Sequence, residues 1–161
     1  LLMAYSHVAH DCVLGDNVIL ANSVGLAGHV HLDDNVTVGG LAGIHQFCRV
    51  GRHAFIAGGA MVAQDVVPFT IAQGDRAQHV GINVVGLKRK GWSKDQILIV
   101  RRAFKDLFHS ETTRMVALEK TENTIGRESN DVAEICRFIR DAQRGVCAAK
   151  MAGPSTDPYE G

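Results

Sequence analysis

Histidines concentrate in the first part of the sequence, and their spacing brings several of them together. His7, His10, His29 and His45 all precede the middle of the chain. An imidazole titrates near neutral pH and can take a proton from a hydroxyl group. His10 is followed directly by Asp11, whose carboxylate can support that imidazole. The pattern therefore indicates general-base chemistry centred on His10.

A spacing of 18 residues links His10 to Gly28 and Gln46. If residues 18 apart stack, these three positions form one column, with His29 and His45 beside it. The backbone N–H of Gly28 would then lie one layer from the imidazole, where it can stabilise an oxyanion. Any one of these histidines alone is best explained as a surface residue, but the column as a whole favours a functional site.

The element that would position this column is a repeat of six residues. Aliphatic residues recur at ten consecutive six-residue steps, at Val8, Leu14, Leu20, Leu26, Leu32, Val38, Ile44, Val50, Ile56 and Val62. Neither helical periodicity nor strand alternation gives this period, whereas a three-sided coil with three hexads per turn does. Residues 18 apart then stack at about 4.8 Å, the spacing of neighbouring strands.

Two further positions in each hexad agree with this three-sided coil. Four places after each aliphatic residue comes a small or β-branched residue, such as Cys12 or Val18, which we expect to be interior. Asn17, Asn35 and Gly59 occupy the fourth place of their hexads, where a corner needs a residue that tolerates positive φ. The pattern predicts a β-helix, and the spacing itself leaves its handedness open.

The six-residue period stops at Pro68, and this divides the chain. We expect a partial β-helix over 1–68, a connecting loop with short strands over 69–92, a helical C-terminal domain over 93–147 and a flexible tail over 148–161. Because the sequence enters directly into the repeat without an initiator methionine, we also expect that N-terminal coils precede it in a longer protein.

Helical spacing returns after the connecting loop. Ser93 and Gln96 form a candidate capping box at the start of a helix of about 16 residues. A short middle helix is expected near 113–120 and a further one over 130–144, ending before Gly145. The expected inward faces are Ile97, Val100, Phe104, Leu107 and Phe108 in the first helix, and Val132, Ile135, Cys136 and Ile139 in the last.

Composition narrows the class of protein. Seventeen basic and 17 acidic residues cancel, so the chain lacks the positive bias that nucleic-acid binding needs. No run approaches the roughly 20 apolar residues of a membrane span, and no leader peptide opens the chain. We expect a cytoplasmic protein with no nucleic-acid partner and no transmembrane segment.

The four cysteines have no C-x-x-C spacing, which argues against a disulfide framework or a zinc knuckle.

A compact basic segment lies between the repeat and the first long helix. Lys88, Arg89 and Lys90 are consecutive, and the helix that follows carries Arg101 and Arg102. Guanidinium and ammonium groups in such a cluster suit a phosphate or an acidic partner. Short basic runs before helices are also common as ordinary solvated surface.

Five short segments together resemble one enzyme family. They read HVAHDC over 7–12, LAGHV over 26–30, IHQFC over 44–48, VAQDV over 62–66 and GLKR over 86–89. This combination closely resembles the UDP-N-acetylglucosamine O-acyltransferases of lipid A synthesis, over about residues 1–110. The resemblance implies a left-handed parallel β-helix followed by a small helical C-terminal domain. It also implies a homotrimer with active sites between adjacent subunits.

The resemblance further implies an activity and the residues that perform it. The enzyme would move a 3-hydroxyacyl group from acyl carrier protein to the 3-hydroxyl of UDP-N-acetylglucosamine, the first step of lipid A biosynthesis. His10 would be the general base, Asp11 would support its imidazole, and the Gly28 N–H would hold the oxyanion. No metal and no organic cofactor would be needed.

Other residues take roles only through this resemblance. Those that match substrate-contacting positions are His7, His29, His45 and Gln46, with Asn83 and Arg89 near the nucleotide diphosphate. Gly58 and Gly59 would leave room in the acyl groove, whose far end lies at Arg76, and this favours a long acyl chain. The acidic carrier protein would dock on Lys88, Lys90 and Arg101.

Three alternative functions stay open at this point. The related N-acyltransferase that acts on the glucosamine amine shares the solenoid and a catalytic histidine, although the GLKR segment over 86–89 argues against it. A non-catalytic trimeric scaffold is a second alternative. Histidines from neighbouring subunits could instead bind zinc, as in the γ-class carbonic anhydrases, but the sequence lacks the expected H-x₄-H pair.

Overall fold

The structure, a computed structural model, describes residues 1–151, and its first part is a succession of two-residue strands. Their bounds are β1 His7–Val8, β2 Val13–Leu14, β3 Ile19–Leu20, β4 Gly25–Leu26, β5 His31–Leu32, β6 Thr37–Val38, β7 Gly43–Ile44, β8 Arg49–Val50, β9 Phe55–Ile56 and β10 Met61–Val62. Strand starts are six residues apart throughout. The repeat in the sequence is therefore the repeat of the structure.

These strands stack into three parallel sheets. Sheet A contains β3, β6 and β9, sheet B contains β1, β4, β7 and β10, and sheet C contains β2, β5 and β8. Strand partners are 18 residues apart, as in the pairs His7 with Gly25 and Gly25 with Gly43. The fold is the expected left-handed parallel β-helix followed by helices, and this expectation is confirmed.

The interior of the β-helix is filled by the two hexad positions that the sequence marked as apolar. Leu20, Leu32 and Val50 have no exposed surface, and each fully buried aliphatic side chain contributes about 1.5–3 kcal/mol to stability. Val8 and Leu14, in the first coil, stay partly exposed because no coil of the described chain stacks on their outer side.

At the ten corners from Tyr5 to Gly59, the residue in the fourth place of the hexad adopts the left-handed conformation. The residues with φ between 57° and 70° include Asn17, Asn35 and Gly59, which confirms the three expected corners. The same conformation occurs at corners occupied by Tyr5, Asp11, Ser23, His29, Leu41, Phe47 and His53. A fourth-place N–H donates to a carbonyl of the preceding coil, as from His29 to His10 at 3.0 Å, and this bond offsets the cost of positive φ.

Beyond Pro68 the coil continues in a less regular form. β11, Thr70–Gln73, joins sheet A beside β9 and pairs antiparallel with β12, Gln78–Ile82. A short helix α1, Val84–Arg89, follows where we expected only loop or short strands. Its six residues are too few to show helical periodicity, and Asn83 starts it by accepting a hydrogen bond from the Gly86 N–H.

Four more helices complete the described chain. They are α2 Lys94–Phe108, α3 Arg114–Asn123, α4 Ile125–Glu128 and α5 Asn130–Arg140. The capping box of α2 is confirmed, because the Gln96 N–H donates to Ser93 Oγ at 3.2 Å and the Ser93 N–H donates to Gln96 Oε1 at 2.9 Å.

Helix α5 ends at Arg140, four residues before the expected position. The chain must turn there because Val146 forms a β-bridge with Asp65 and the Cys147 N–H donates to the Asp65 carbonyl at 2.8 Å. Phe138 is buried on this helix, whereas Ile139, which we expected inward, is half-buried.

The expected tail over 148–161 begins in ordered structure. Ala149 forms a β-bridge with His79, and the remainder over 152–161 lies outside the described residues. Within 1–151, no helix combines the length and the apolar character needed to cross a membrane.

Arg52 connects the β-helix to α5. Its Nε donates to Glu134 at 2.7 and 2.8 Å, its Nη2 donates to Asp131 at 2.6 Å, and its guanidinium lies 4.7 Å from the centre of the Phe69 ring. Burial already raises the pKa of Glu134. Removing Arg52 therefore leaves a half-buried carboxylate without its cation.

We expect Arg52→Ala to lower the free energy of unfolding by about 2 kcal/mol, between the values for exposed and fully buried ion pairs. Urea unfolding measures this change. Arg140→Ala is the matched control, because Arg140 pairs with Glu122 on the exposed surface and its loss should matter much less. Equal destabilisation by both variants would contradict the connecting role of Arg52.

His79 makes stability depend on pH. It is fully buried, its Nε2 accepts a hydrogen bond from the Val67 N–H at 3.1 Å, and its Nδ1 has no partner among the described residues. Burial lowers the pKa of His79 from 6.5 to about 3. The unfolded chain therefore binds a proton in this range and the folded protein does not, so stability present above pH 6.5 is lost as the pH falls towards 3.

As the pH falls from 6.5 to 3, we expect the free energy of unfolding to decrease by up to about 1.4 kcal/mol per pH unit because His79 binds a proton only in the unfolded chain. The urea midpoint measured across that range should flatten in His79→Gln, since the glutamine carbonyl can replace the acceptor but does not titrate. His109→Gln, at an exposed position, is the control. If wild type and His79→Gln show the same pH dependence, the buried imidazole is not responsible.

Candidate active site

One corner of the β-helix, between sheet B and sheet C, carries the predicted catalytic column. His10 and Asp11 occupy this corner in the first coil, Gly28 and His29 in the second, and Gln46 with its neighbours in the third. The 18-residue repeat places these positions in register because each coil contains three hexads. We define this set as the histidine corner, formed by His10, Asp11, Gly28, His29, Gln46 and Phe47.

His10 and Asp11 form a hydrogen-bonded pair. The distance from His10 Nδ1 to Asp11 Oδ2 is 2.8 Å, and both side chains are exposed. Asp11 has a φ of 58°, the corner conformation that aspartate tolerates better than most residues. The hydrogen bond from His10, together with the charge of His29, lowers the pKa of Asp11. An ionised Asp11 accepts a hydrogen bond from His10 Nδ1, and this tautomer leaves Nε2 with a lone pair that could accept a proton.

The His10 imidazole lies directly across Gly28. A Cβ atom added at Gly28 would lie 2.7 Å from Cε1 and 2.8 Å from Nε2 of His10, so only glycine leaves room for the ring. The Gly28 N–H has no hydrogen-bond acceptor in the described part of the chain. A buried amide without an acceptor is unfavourable, and a ligand oxygen that accepts this bond would therefore be stabilised.

Phe47 is a member of the histidine corner that was not predicted from the sequence. Its ring stacks on His29 with 4.7 Å between centroids, and the His29 ring lies edge-on to His10 at 5.1 Å. His29 Nε2 is 3.8 Å from Asp11 Oδ2, so the carboxylate lies between the two imidazoles. The 18-residue spacing from Asp11 through His29 to Phe47 was the signal that would have found it.

The same three polar side chains also form a possible ligand set for a metal ion. His10, Asp11 and His29 each offer a ligand atom, and these atoms lie within 4.8 Å of one another. All three side chains are exposed, and His10 Nδ1 already donates to Asp11. The pairing of His10 with Asp11 therefore does not depend on a bound ion.

An apolar groove of about 550 Å³ runs along the outer surface of sheet B. His7 and His45 line it, so these two predicted substrate contacts share one surface next to the histidine corner. Arg76 also lines it, beyond Met61 at the end away from His7. Among the described residues, Gly58 and Gly59 are not part of this lining and lie at the corner between sheets A and B.

Two predicted nucleotide contacts lie at a different corner. Asn83 donates a hydrogen bond from Nδ2 to the carbonyl of His53 at 2.9 Å, and His53 is at the corner between sheets C and A. Arg89 is exposed in the last turn of α1. One chain therefore does not bring Asn83 and Arg89 to His10.

The basic residues predicted to dock a carrier protein lie close in sequence around α1 and α2. Lys88 is exposed in the last turn of α1, Lys90 is its exposed C-terminal cap, and Arg101 is half-exposed in α2.

Comparisons with known proteins agree with this geometry. The sequence family described as Udp N-acetylglucosamine O-acyltransferase, Domain 2, matches residues 65–147. The acyl-(acyl-carrier-protein)–UDP-N-acetylglucosamine O-acyltransferase of Herminiimonas arsenicoxydans is 47% identical over 148 residues, covering 90% of this chain and 56% of that protein.

Solved structures show the same likeness. LpxA from Acinetobacter baumannii superposes with a TM-score of 0.86 at 40% identity, covering 91% of this chain and 57% of that one. The UDP-N-acetylglucosamine acyltransferase of Campylobacter jejuni gives a TM-score of 0.84 at 44% identity, covering 92% and 57%.

The coiled repeat and its histidine corner define a hexapeptide-repeat β-helix protein. The chain belongs to the UDP-N-acetylglucosamine O-acyltransferase family. It spans 56% of the length of the curated Herminiimonas relative.

Proposed function

We propose that the protein transfers a 3-hydroxyacyl group from acyl carrier protein to the 3-hydroxyl of UDP-N-acetylglucosamine, the first step of lipid A biosynthesis. The observation that carries this proposal is the pairing of His10 with Asp11 directly across Gly28, whose N–H lacks an acceptor in the described chain. A base and an oxyanion donor thus lie side by side. The names of the relatives supply the substrates.

In the proposed reaction, His10 Nε2 takes the proton of the sugar 3-hydroxyl while Asp11 accepts a hydrogen bond from Nδ1. The sugar oxygen attacks the thioester carbonyl, and the new oxyanion accepts the hydrogen bond of the Gly28 N–H. The carbon–sulfur bond then breaks, and the proton held by His10 passes to the leaving thiolate. The products are the sugar ester and the free thiol, so no metal or cofactor enters the balance.

We propose that the remaining substrate contacts assemble in a homotrimer. His7, His29, His45 and Gln46 would come from the subunit that carries His10. Asn83 and Arg89 lie at another corner and would serve the His10 site of a neighbouring subunit, near the nucleotide diphosphate. A β-helix has its packed side chains inside, so a site shared between outer surfaces suits the fold.

Acyl carrier protein would dock on the basic surface formed by Lys88, Lys90 and Arg101. We propose that its acyl chain lies along the sheet B groove, with Arg76 marking the far end and with Gly58 and Gly59 leaving space at the adjoining corner between sheets A and B. In this view the reaction takes place in the cytoplasm, as expected from the sequence.

An acceptor assay tests the proposal. The full-length protein should transfer the acyl group from its carrier-protein thioester to UDP-N-acetylglucosamine, and EDTA should not reduce the rate. Transfer only to the glucosamine amine would support the N-acyltransferase alternative, and loss of activity with EDTA would support a metal mechanism. A folded protein with no transfer to either acceptor would support the scaffold alternative.

A further inference from the structure

Two imidazoles and one carboxylate at the histidine corner converge on a single point. The distance is 2.8 Å from His10 Nδ1 to Asp11 Oδ2 and 3.8 Å from His29 Nε2 to the same oxygen. One ligand atom from each of the three side chains lies within 4.8 Å of the other two. Within residues 1–151, this is the one group of three histidine, cysteine or acidic side chains placed to share an ion.

The spacing of these ligand atoms suits a tetrahedral metal ion. Zinc binds nitrogen and oxygen at about 2.0–2.2 Å, which keeps its ligand atoms about 3.4 Å apart. The measured 2.8 and 3.8 Å lie on either side of this value, so displacements of about 0.5 Å bring both imidazoles to the right distance from Asp11. All three side chains are exposed, which leaves an entry path for the ion and a fourth position for water.

Neighbouring residues hold the two imidazoles in place. Phe47 stacks on His29 with 4.7 Å between ring centroids, and Gly28 leaves room for the His10 ring. Residues around a metal site that orient its ligands in this way raise its affinity. Two imidazole nitrogens favour zinc and related transition metals over Mg²⁺, which prefers oxygen ligands. The donor set of two histidines and one carboxylate is common in zinc sites that keep one position open.

We propose that the histidine corner binds a divalent transition-metal ion of the zinc type through His10, Asp11 and His29, and that this ion inhibits the enzyme. The inhibition rests on the proposed acyl transfer, whereas the ion site does not. An ion on His10 Nδ1 displaces the hydrogen bond to Asp11 and leaves the single ring proton on Nε2, which then has no lone pair for the sugar hydroxyl. An ion on Nε2 occupies that lone pair directly. The general base is lost in both cases.

Cobalt(II) and zinc test the ion site without any measurement of activity. Co²⁺ added to the full-length protein should give the intense visible absorption of a tetrahedral site, and Zn²⁺ should remove it. Calorimetry should show that His29→Asn lowers the zinc affinity at least about 100-fold, since a lost ligand costs more than a change around the ligands. Asparagine keeps the fold at this corner because Asn17 and Asn35 adopt the same positive φ in the same place of the hexad.

His31→Ala is the matched control for binding. It removes an exposed histidine beside Asp33 on sheet C, where only two ligand atoms come together, and it should bind zinc as the wild type does. Equal zinc affinities of the wild type and His29→Asn would overturn the site. Near-ultraviolet absorption from a cobalt–thiolate bond would assign the ion to a cysteine instead and would also overturn it.

Initial rates of acyl transfer test the inhibition. Zinc at a concentration that saturates the calorimetric site should slow the wild type at least about tenfold, because the general base is removed, and EDTA should restore the rate. An unchanged rate with zinc bound through His29 would overturn the inhibition. If the wild type transfers no acyl group even with EDTA, but His29→Asn loses zinc affinity, the ion site stands and the proposed reaction falls.

Discussion

The His10→Ala variant should transfer acyl groups about 10²–10⁴-fold more slowly than the wild type, because it loses the group that takes the proton of the sugar hydroxyl. The effect should appear in kcat rather than in KM, since the alanine variant keeps the groove and the Gly28 N–H. Steady-state kinetics of the full-length protein, with UDP-N-acetylglucosamine as the acceptor, measures it.

A second histidine–aspartate pair provides the control for this result. His31 Nε2 lies 3.2 Å from Asp33 Oδ1 on sheet C, and this pair is longer and less exposed than the 2.8 Å pair of His10 with Asp11. His31→Ala should keep the wild-type rate because, among the described residues, neither an unpaired glycine amide nor an apolar groove lies beside this pair. Similar rates for His10→Ala and the wild type would remove the general base from the mechanism.

The Gly28→Ala variant should lose about 10²–10³-fold in kcat although it keeps its backbone N–H. The added Cβ would lie within 2.8 Å of His10 ring atoms, so the ring must leave its place across residue 28. Misplacing a catalytic group by about 1 Å can cost a factor of this size. Kinetics and a structure of the variant together test the steric cause.

Gly40 offers the matched comparison for this substitution. It occupies the same place of its hexad as Gly28, at the corner between sheets A and B, and an added Cβ there would lie 3.2 Å from the Asn22 carbonyl oxygen. Gly40→Ala should therefore affect stability slightly and kcat little. If Gly28→Ala keeps both the wild-type kcat and the wild-type position of His10, the close packing at this corner does not govern catalysis.

The coil itself could be predicted because its rule is local and repeats. Every hexad supplies two interior residues and a corner, so Leu20, Val50 and Asn35 could be assigned from spacing alone. The same arithmetic placed His10 above Gly28, since a three-sided coil of fixed pitch leaves little freedom between residues 18 apart. The sequence therefore predicted the column that the structure contains.

Other features depend on contacts that the sequence pattern does not contain. Helix α1 is short, and Asn83, which starts it, is held by the carbonyl of His53, 30 residues earlier. The end of α5 is set by the pairing of Val146 with Asp65 on the β-helix. Such long-range contacts override local helical preference, and periodicity does not reveal them.

The candidate site was only partly accessible to sequence reasoning. His10, Asp11 and Gly28 were found from type and spacing, whereas the roles of Asn83 and Arg89 rested on family resemblance. The six-residue repeat of one chain carries no information about contacts between subunits.

A crystal structure of the full-length protein with its acylated UDP-sugar product tests the central claim most directly. The sugar 3-oxygen should lie within hydrogen-bonding distance of His10 Nε2, and the ester carbonyl oxygen should accept a hydrogen bond from the Gly28 N–H. The acyl chain should follow the sheet B groove towards Arg76. Product bound on sheet A or sheet C, or with its ester away from both His10 and Gly28, would contradict the account.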